Sequence, residues 1–412
     1  MYELGRLNNL KKQNIPKIRF NNYTDAWEQR KLGEVADFSK GNGYSKADLI
    51  DEGQPIILYG RLYTNYETVI RNVETFARKK ANSVFSQGGE VIVPASGESA
   101  EDISRASVVE KSGVMLGGDL NIITVNEKIN PTFLALTISN GTQQKELSKR
   151  AQGKSVVHLR NTDLEKVDLL FPSNSEQKKI GDFFSNIDNL IALHQRKLEE
   201  LKSFKSTMLS KMFPKHGQTV PEIRLAGFDG EWERTKLGAL GSVAMNKRIF
   251  KGETSEDGEI PFYKIGTFGG VADSFISRAR FEEYKQKYPY PEIGDILISA
   301  SGSIGRTVEY MGEEAYYQDS NIVWLKHDNR LVNSFLKQFY SIVKWNGIEG
   351  TTIKRLYNKN ILETEIPLPS LEEQQAIGEL FSNLDDLISS TQSKIGELKT
   401  LKKKLLQEMF VN

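Results

Sequence analysis

Two stretches of the chain carry the same long alternation of apolar and polar positions. Over residues 176–213 and again over 373–410, apolar side chains recur at alternating spacings of four and three. The first stripe is Ile180, Phe184, Ile187, Ile191, Leu198, Leu201, Met208 and Met212. The second is Ile377, Phe381, Leu384, Ile388, Ile395, Leu398, Leu405 and Met409. A heptad seam of this kind predicts a long helix that lays one face on another helix. The two are therefore expected to pair with each other, as an antiparallel coiled coil. Polar residues interrupt both seams at matching places, His194 against Thr391 and Lys205 against Lys402. Such residues fix register at some cost in stability. Leu190/Leu387, Phe204/Leu401 and Leu209/Leu406 widen the stripe, so each helix is expected also to touch a globular neighbour.

Upstream of each helix the period changes. Short β-branched runs at 55–59, 90–94, 121–125, 295–299 and 321–325 lie between Gly-, Ser- and Asn-rich turns and predict strands. Asn130-Pro131 ahead of an apolar run predicts a capped helix through Leu147, with a partner helix over 333–345. The fold class expected is mixed α/β (α+β): two tandem globular domains, each followed by a long helix.

The globular parts repeat as the helices do. Ile15-Pro16-Lys17-Ile18-Arg19-Phe20 returns as Val220-Pro221-Glu222-Ile223-Arg224-Leu225, and Trp27 returns as Trp232, 205 positions on. At the helix ends the offset is 197, from Phe213 to Phe410, so the second copy has lost residues inside its globular part. Internal anchors are Ala95-Ser96-Gly97 with Ala300-Ser301-Gly302, Asp119-Leu120-Asn121-Ile122 with Asp319-Ser320-Asn321-Ile322, and 153–159 with 350–356. Between anchors little is shared. Drift alone would have eroded the helices too, so retained framework and changed loops point to two modules of one type set to different targets. The boundaries that follow are an N-terminal arm at 1–14, a first domain at 15–172, a first helix at 173–213, a linker at 214–220, a second domain at 221–369 and a second helix at 370–412.

Length agrees, since 412 residues predict two or three domains. The 55 basic and 54 acidic residues leave a net charge of +1, so no global field announces a nucleic-acid or membrane partner. Without cysteine, disulfides, thiolate metal sites and cysteine nucleophiles are excluded. The N-terminal segment lacks the apolar core of a signal peptide, and no run approaches the ~18 apolar residues of a membrane span. A soluble, cytoplasmic protein is expected.

Catalytic motifs are incomplete. Gly153-Lys154-Ser155 has the end of a phosphate-binding loop, but Ser148 stands where that loop needs glycine, and the second copy has Gly350-Thr351-Thr352 without the lysine. Asn130-Pro131-Thr132-Phe133 lacks the second proline of the clamp that amino-methyltransferases close on a flipped base, and its asparagine is accounted for as a helix cap. His158, His194, His216 and His327 show no ligand spacing, and none recurs in the other copy. Acid pairs such as Asp385-Asp386 and Glu199-Glu200 lie on solvated helix faces. No catalytic residue and no metal ligand is expected in this chain.

These residues together resemble the specificity subunit of type I restriction-modification systems. The resemblance rests on Leu170-Phe171-Pro172-Ser173 with Glu176-Gln177 and Ile180, and on Ile366-Pro367-Leu368-Pro369-Ser370 with Glu373-Gln374 and Ile377. Gly294-Asp295-Ile296-Leu297-Ile298, Ser301-Gly302-Ser303-Ile304-Gly305-Arg306 and Gly350-Thr351-Thr352-Ile353-Lys354-Arg355-Leu356 are also family-like, whereas the first copy departs from the pattern at Ser96-Gly97-Glu98-Ser99-Ala100. The resemblance implies that each globular domain is a target-recognition domain reading one half of a bipartite double-stranded DNA sequence. It implies that the helices set the spacer and dock methyltransferase subunits, two of them, with restriction/translocase subunits joining for host defence. S-adenosylmethionine, ATP and Mg would reside on those partners, none on this chain.

Base reading needs donors and acceptors on exposed loops, arginine and lysine favouring guanine, asparagine and glutamine favouring adenine. The candidates at equivalent loops are Arg61, Tyr63, Ser96, Lys154, His158 and Arg160 in the first domain, and Lys264, Ser301, Ser303, Arg306, Lys354, Arg355 and Tyr357 in the second. Two readings of other classes are a DNA methyltransferase or nuclease in its own right, and a coiled-coil scaffold without a nucleic-acid role.

Overall fold

The computed structural model describes residues 4–6, 14–100, 102–151, 156–350 and 354–411. The chain divides into two compact units, Met1–Gln195 with Ser393–Asn412, and Arg196–Gln392. The long helices are Asn174–Met212 and Leu371–Glu408. Each unit therefore owns the N-terminal half of one long helix and the C-terminal half of the other.

In the first unit the central sheet runs in the order Ala36–Lys40, Leu120–Val125, Glu90–Pro94, Ser107–Val109, Val69–Ile70. In the second the order is Gly241–Ala244, Ile322–His327, Ile296–Ser299, Thr307–Glu309. The first four places correspond, and every pair among them is antiparallel. The middle strands Glu90–Pro94 and Ile296–Ser299 are buried along their whole length, which is why their central residues, 91–93 and 296–298, read as continuous apolar runs rather than as an alternation. A smaller sheet also repeats. Gln54–Ile57 pairs parallel with Met115–Leu116 and antiparallel with Phe76–Ala77, as Ile260–Tyr263 does with Tyr316–Tyr317 and Phe275–Ile276.

The segment after Asn130 forms two helices, Pro131–Ile138 and Gly141–Arg150, where the sequence pattern predicts one. Asn130 caps the first by accepting from the Phe133 N–H at 3.1 Å, with Pro131 at the first helical position. The break falls at Ser139-Asn140, and Gly141 takes φ +67°, a conformation that costs glycine nothing. The counterpart Asn333–Ile342 is a single helix that ends short of Trp345. Within the N-terminal arm, Leu4–Arg6 pairs antiparallel with Ile18–Phe20.

The repeated Ile-Arg and Glu-Gln signatures have one structural explanation. Arg19 reaches Glu176 through Nε and Nη2, both at 2.7 Å, and both side chains are buried. Arg224 grips Glu373 in the same way at 2.8 and 2.7 Å, which raises the pKa of the Arg224 guanidinium. The glutamine next along ties the helix to the globular part. Gln177 accepts from the Asn130 N–H and donates to the carbonyls of Lys128 and Pro172, while Gln374 accepts from the Val332 N–H and donates to those of Arg330 and Pro369. A glycine completes the clasp: a Cβ on Gly378 would lie 2.7 Å from Ser334 Cβ.

The second long helix closes the first unit. Phe410 stacks on Phe133 at 5.7 Å and meets Trp27 edge-on at 6.2 Å, with Ile180, Phe184, Ile187 and Ile191 in the same core. In the second unit Phe213 takes the equivalent place against Phe335 and Trp232, among Ile377, Phe381 and Leu384. The packing is antiparallel in each. In the first unit, Phe184 faces Phe410 and, further along, Asp188 binds Lys402; in the second, Asp385 binds Lys205. The two lysines that interrupt the seams are thus neutralised by aspartates of the facing helix. Ile395 and Leu198 are buried, and Leu201, Ile388 and Leu398 are half-buried.

Contrary to the expectation from the widened stripe, Leu190, Leu387, Phe204 and Leu401 face solvent, each 45–49% exposed. Leu209 is buried and Leu406 partly so, because these two lie where the helix ends enter a domain core. Removing a ring from such a core costs about 3–5 kcal/mol. Phe410→Ala is accordingly expected to lower the melting transition of the first unit and leave hydrogen exchange in 221–369 unchanged; uniform loss of protection across both units would contradict this.

Candidate nucleic-acid interface

In each unit two backbone segments meet where the shared framework gives way to variable loops. Ser96–Gly97 follows directly on the buried strand Glu90–Pro94 and pairs antiparallel with Val157–His158, with Ser96 opposite His158. In the second unit Ser301 follows Ile296–Ser299 and bridges antiparallel to Arg355. The surrounding bonds repeat. The Leu159 N–H donates to the Ala95 carbonyl at 3.0 Å, as the Leu356 N–H donates to that of Ala300 at 2.8 Å. Buried Asn121 donates Nδ2 to the Leu159 carbonyl at 2.9 Å, and Asn321 Oδ1 accepts from Ser301 Oγ at 2.7 Å.

Side chains alternate along extended backbone, and this frame uses the alternation to present two positions. Val157 and Leu159 are buried, while His158 and Arg160 are exposed. In the second unit Leu356 is buried, with Arg355 and Tyr357 exposed on either side. Arg160 and Tyr357 stand at equivalent places, each directly before a short helix, Asn161–Leu164 and Asn358–Glu363. One framework thus carries imidazole and guanidinium in the first unit, guanidinium and phenol in the second. Lys354 is also exposed, its carbonyl accepting from the Gly302 N–H at 3.1 Å. Among the described residues no carboxylate lies within ion-pair distance of His158, Arg160, Lys354 or Arg355.

The other candidates are engaged within the protein to differing degrees. Arg61 is paired with Glu67 at 2.6 Å and donates to the Asn72 carbonyl, so its guanidinium braces a loop. Tyr63 donates its hydroxyl to the Ser96 carbonyl at 2.8 Å and so supports the presenting strand; burial raises the pKa of that hydroxyl. Ser96 and Ser301 are themselves buried. Lys264 pairs with Asp273 at 2.8 Å. Ser303 is exposed, and Arg306 is exposed with Nη1 donating to the Phe268 carbonyl at 2.7 Å. Lys154 and the rest of Gly153-Lys154-Ser155 lie outside the described residues, as do Thr351, Thr352 and Ile353. Asn121 and Asn321 stand in the repeated 119–122 and 319–322 anchors but not among the sequence-predicted site residues, because repetition marks a shared framework and not a hydrogen-bonding role.

The exposed face offers hydrogen-bond donors in an extended row, chemistry suited to the acceptor-rich edge of guanine or to phosphate. No group of three or more histidine or acidic side chains that could hold a metal ion occurs among the described residues, and no described helix is long and apolar enough to cross a membrane.

Comparisons with known proteins place these observations in a family. The family model for the type I restriction modification DNA specificity domain matches twice, over residues 24–203 and 229–400. A putative type I restriction enzyme specificity subunit of Haemophilus influenzae is 38% identical over 272 residues, which is 66% of this chain and 68% of the relative. In fold the chain is similar to the crystal structure of a type I restriction-modification system S subunit from M. genitalium. That match has a TM-score of 0.64 at 17% identity and covers 97% of this chain and 99% of the other. A further match, with a TM-score of 0.52 at 17% identity, is a chain from a structure concerned with complex assembly and conformational transition of the type I system; it covers 92% of this chain and 96% of the other.

Proposed function

The chain belongs to the type I restriction modification DNA specificity family, and from that premise we propose that its two globular units read the two halves of an asymmetric bipartite DNA target. The observation that carries the proposal is the shared Ser96/His158 and Ser301/Arg355 frame, which holds backbone constant and changes the exposed side chain. Unlike half-sites follow from unlike side chains. The other proposed partners are two methyltransferase subunits, which bring S-adenosylmethionine and the reactive site, and restriction subunits, which bring ATP and Mg. These partners also supply phosphate neutralisation that a chain of net charge +1 does not provide alone. Leu190 and Leu401 in the first unit, and Leu387 and Phe204 in the second, form the apolar part of the surface on which those subunits dock. The long helices, acting as an antiparallel coiled coil, set the spacer between half-sites.

Substitution of two neighbouring residues tests the frame. If Arg355 meets a base edge, Arg355→Ala costs about 1–3 kcal/mol of binding and relaxes one position of the motif. Lys354→Ala, at a phosphate, weakens all sequences alike and flattens the salt dependence. Competition binding against a panel of single-base variants distinguishes the two, and unchanged affinity and motif in both variants would remove this loop from the interface.

A further inference from the structure

Three segments of the first unit contain cations and no acid: 38–47, 75–89 and 156–162. They are far apart in sequence, yet polar bonds join them into one surface. Asn161 Nδ2 donates to the Ser39 carbonyl at 3.0 Å, connecting the His158/Arg160 segment to the first. Asn42 Nδ2 donates to the Asn82 carbonyl at 2.9 Å, the Tyr44 hydroxyl donates to the Arg78 carbonyl at 3.1 Å, and the Lys80 N–H donates to the Tyr44 hydroxyl at 2.9 Å. Close backbone packing fixes the connecting loop, since a Cβ on Gly41 would fall 1.9 Å from the Gly117 carbonyl oxygen.

The surface so formed carries Arg160, Lys40, Lys46, Arg78, Lys79 and Lys80, all exposed. Lys80 is paired with Asp48 and lies 4.5 Å from the Tyr44 ring centre, and Lys79 lies 5.3 Å from that of Phe85. The aromatic rings position ammonium groups without neutralising them. Among the described residues no carboxylate pairs with Lys40, Lys46, Arg78, Lys79 or Arg160. The second unit differs at the corresponding loop, where Arg248 is paired with Asp319 at 2.7 Å. Its segment 274–294 also interleaves the acids Glu282, Glu283 and Glu292 with its cations, whereas 75–89 holds no acid.

We propose that this strip is a phosphate-binding track, along which the DNA backbone leading away from the first half-site lies on Lys40, Arg78 and Lys79. The proposal rests on the DNA-reading assignment of the first unit and adds a sequence-independent contact present in that unit alone. Unpaired cations held on a surface whose one ion-paired carboxylate, Asp48, is engaged by Lys80 suit phosphodiester oxygens. They stand off the frame that presents His158, so they add affinity without adding sequence.

The test uses the full chain assembled with its methyltransferase subunits and two duplexes, one bearing the motif that the wild-type complex methylates and one with that motif scrambled. Arg78→Gln/Lys79→Gln is compared with Lys145→Gln/Lys149→Gln, which removes equal charge from the exposed side of Gly141–Arg150. Loss of two phosphate contacts lowers the slope of log affinity against log salt by about 1.8. The expected result is that loss for the first variant on both duplexes, a smaller change for the second, and an unaltered methylation motif. An unchanged slope, or equal change in both variants, overturns the track; an altered motif also overturns it, because the residues would then be reading bases. If the wild-type complex shows no salt-dependent DNA binding, the DNA-reading assignment itself fails, an outcome distinct from failure of the track.

Discussion

Seven residues inserted into both long helices, after Gln195 and after Gln392, are expected to lengthen the recognised spacer or to abolish specific binding, with both units still folded. The insertion points matter. Each unit packs the N-terminal half of one long helix against the C-terminal half of the other, so a heptad placed at the boundary leaves the Asp188–Lys402 and Asp385–Lys205 pairs intact and keeps the seam in phase. Seven residues add about 10 Å of helix, close to three base pairs, and also turn the far half-site roughly a quarter turn around the duplex. A heptad in one helix alone leaves the other unable to match it, and the protein is expected to lose stability. If the doubly extended protein directs methylation to the original motif with its original spacer and normal affinity, the helices do not set the distance.

Much of the fold was legible because it depends on patterns that residue type alone reveals. Strand Glu90–Pro94 and the strand ending at Ser299 are buried throughout and the one ending at Val125 over its first four residues, all rich in β-branched or aliphatic side chains, and the long helices follow their seams. The break at Ser139-Asn140 was harder to see, because the apolar run before it and the polar stretch after it are each acceptable to a continuing helix. The exposure of Leu190 and Phe204 was hidden for a different reason: periodicity marks the width of an apolar face but not whether a neighbour covers it.

The site divides along the same line. Alignment of the two copies placed His158 opposite Arg355, and the structure adds the serine that each faces. What the sequence could not display was which candidates are consumed internally. Glu67 engages Arg61 from six residues away and Asp273 engages Lys264 from nine, contacts that depend on loop paths rather than on residue type. The Glu-Gln signature likewise reads as a family mark in sequence, whereas in three dimensions it is the clasp that fastens each domain to its helix.

Replacing 15–172 with the corresponding domain of a relative is the largest functional change the two-module arrangement allows. The incoming domain must supply an arginine for Glu176, a carbonyl pair for Gln177, and an aromatic pair to receive Phe410 in place of Trp27 and Phe133. With these met, the helices and the second unit keep their own contacts. The direct measurement is genome-wide sequencing of methylated adenines in hosts that carry the native chain or the exchanged one, with the same partner subunits. Independent reading by two modules predicts that one half of the motif changes to that of the donor while the other half and the spacer stay as they were. A motif altered in both halves, or in neither, would contradict it.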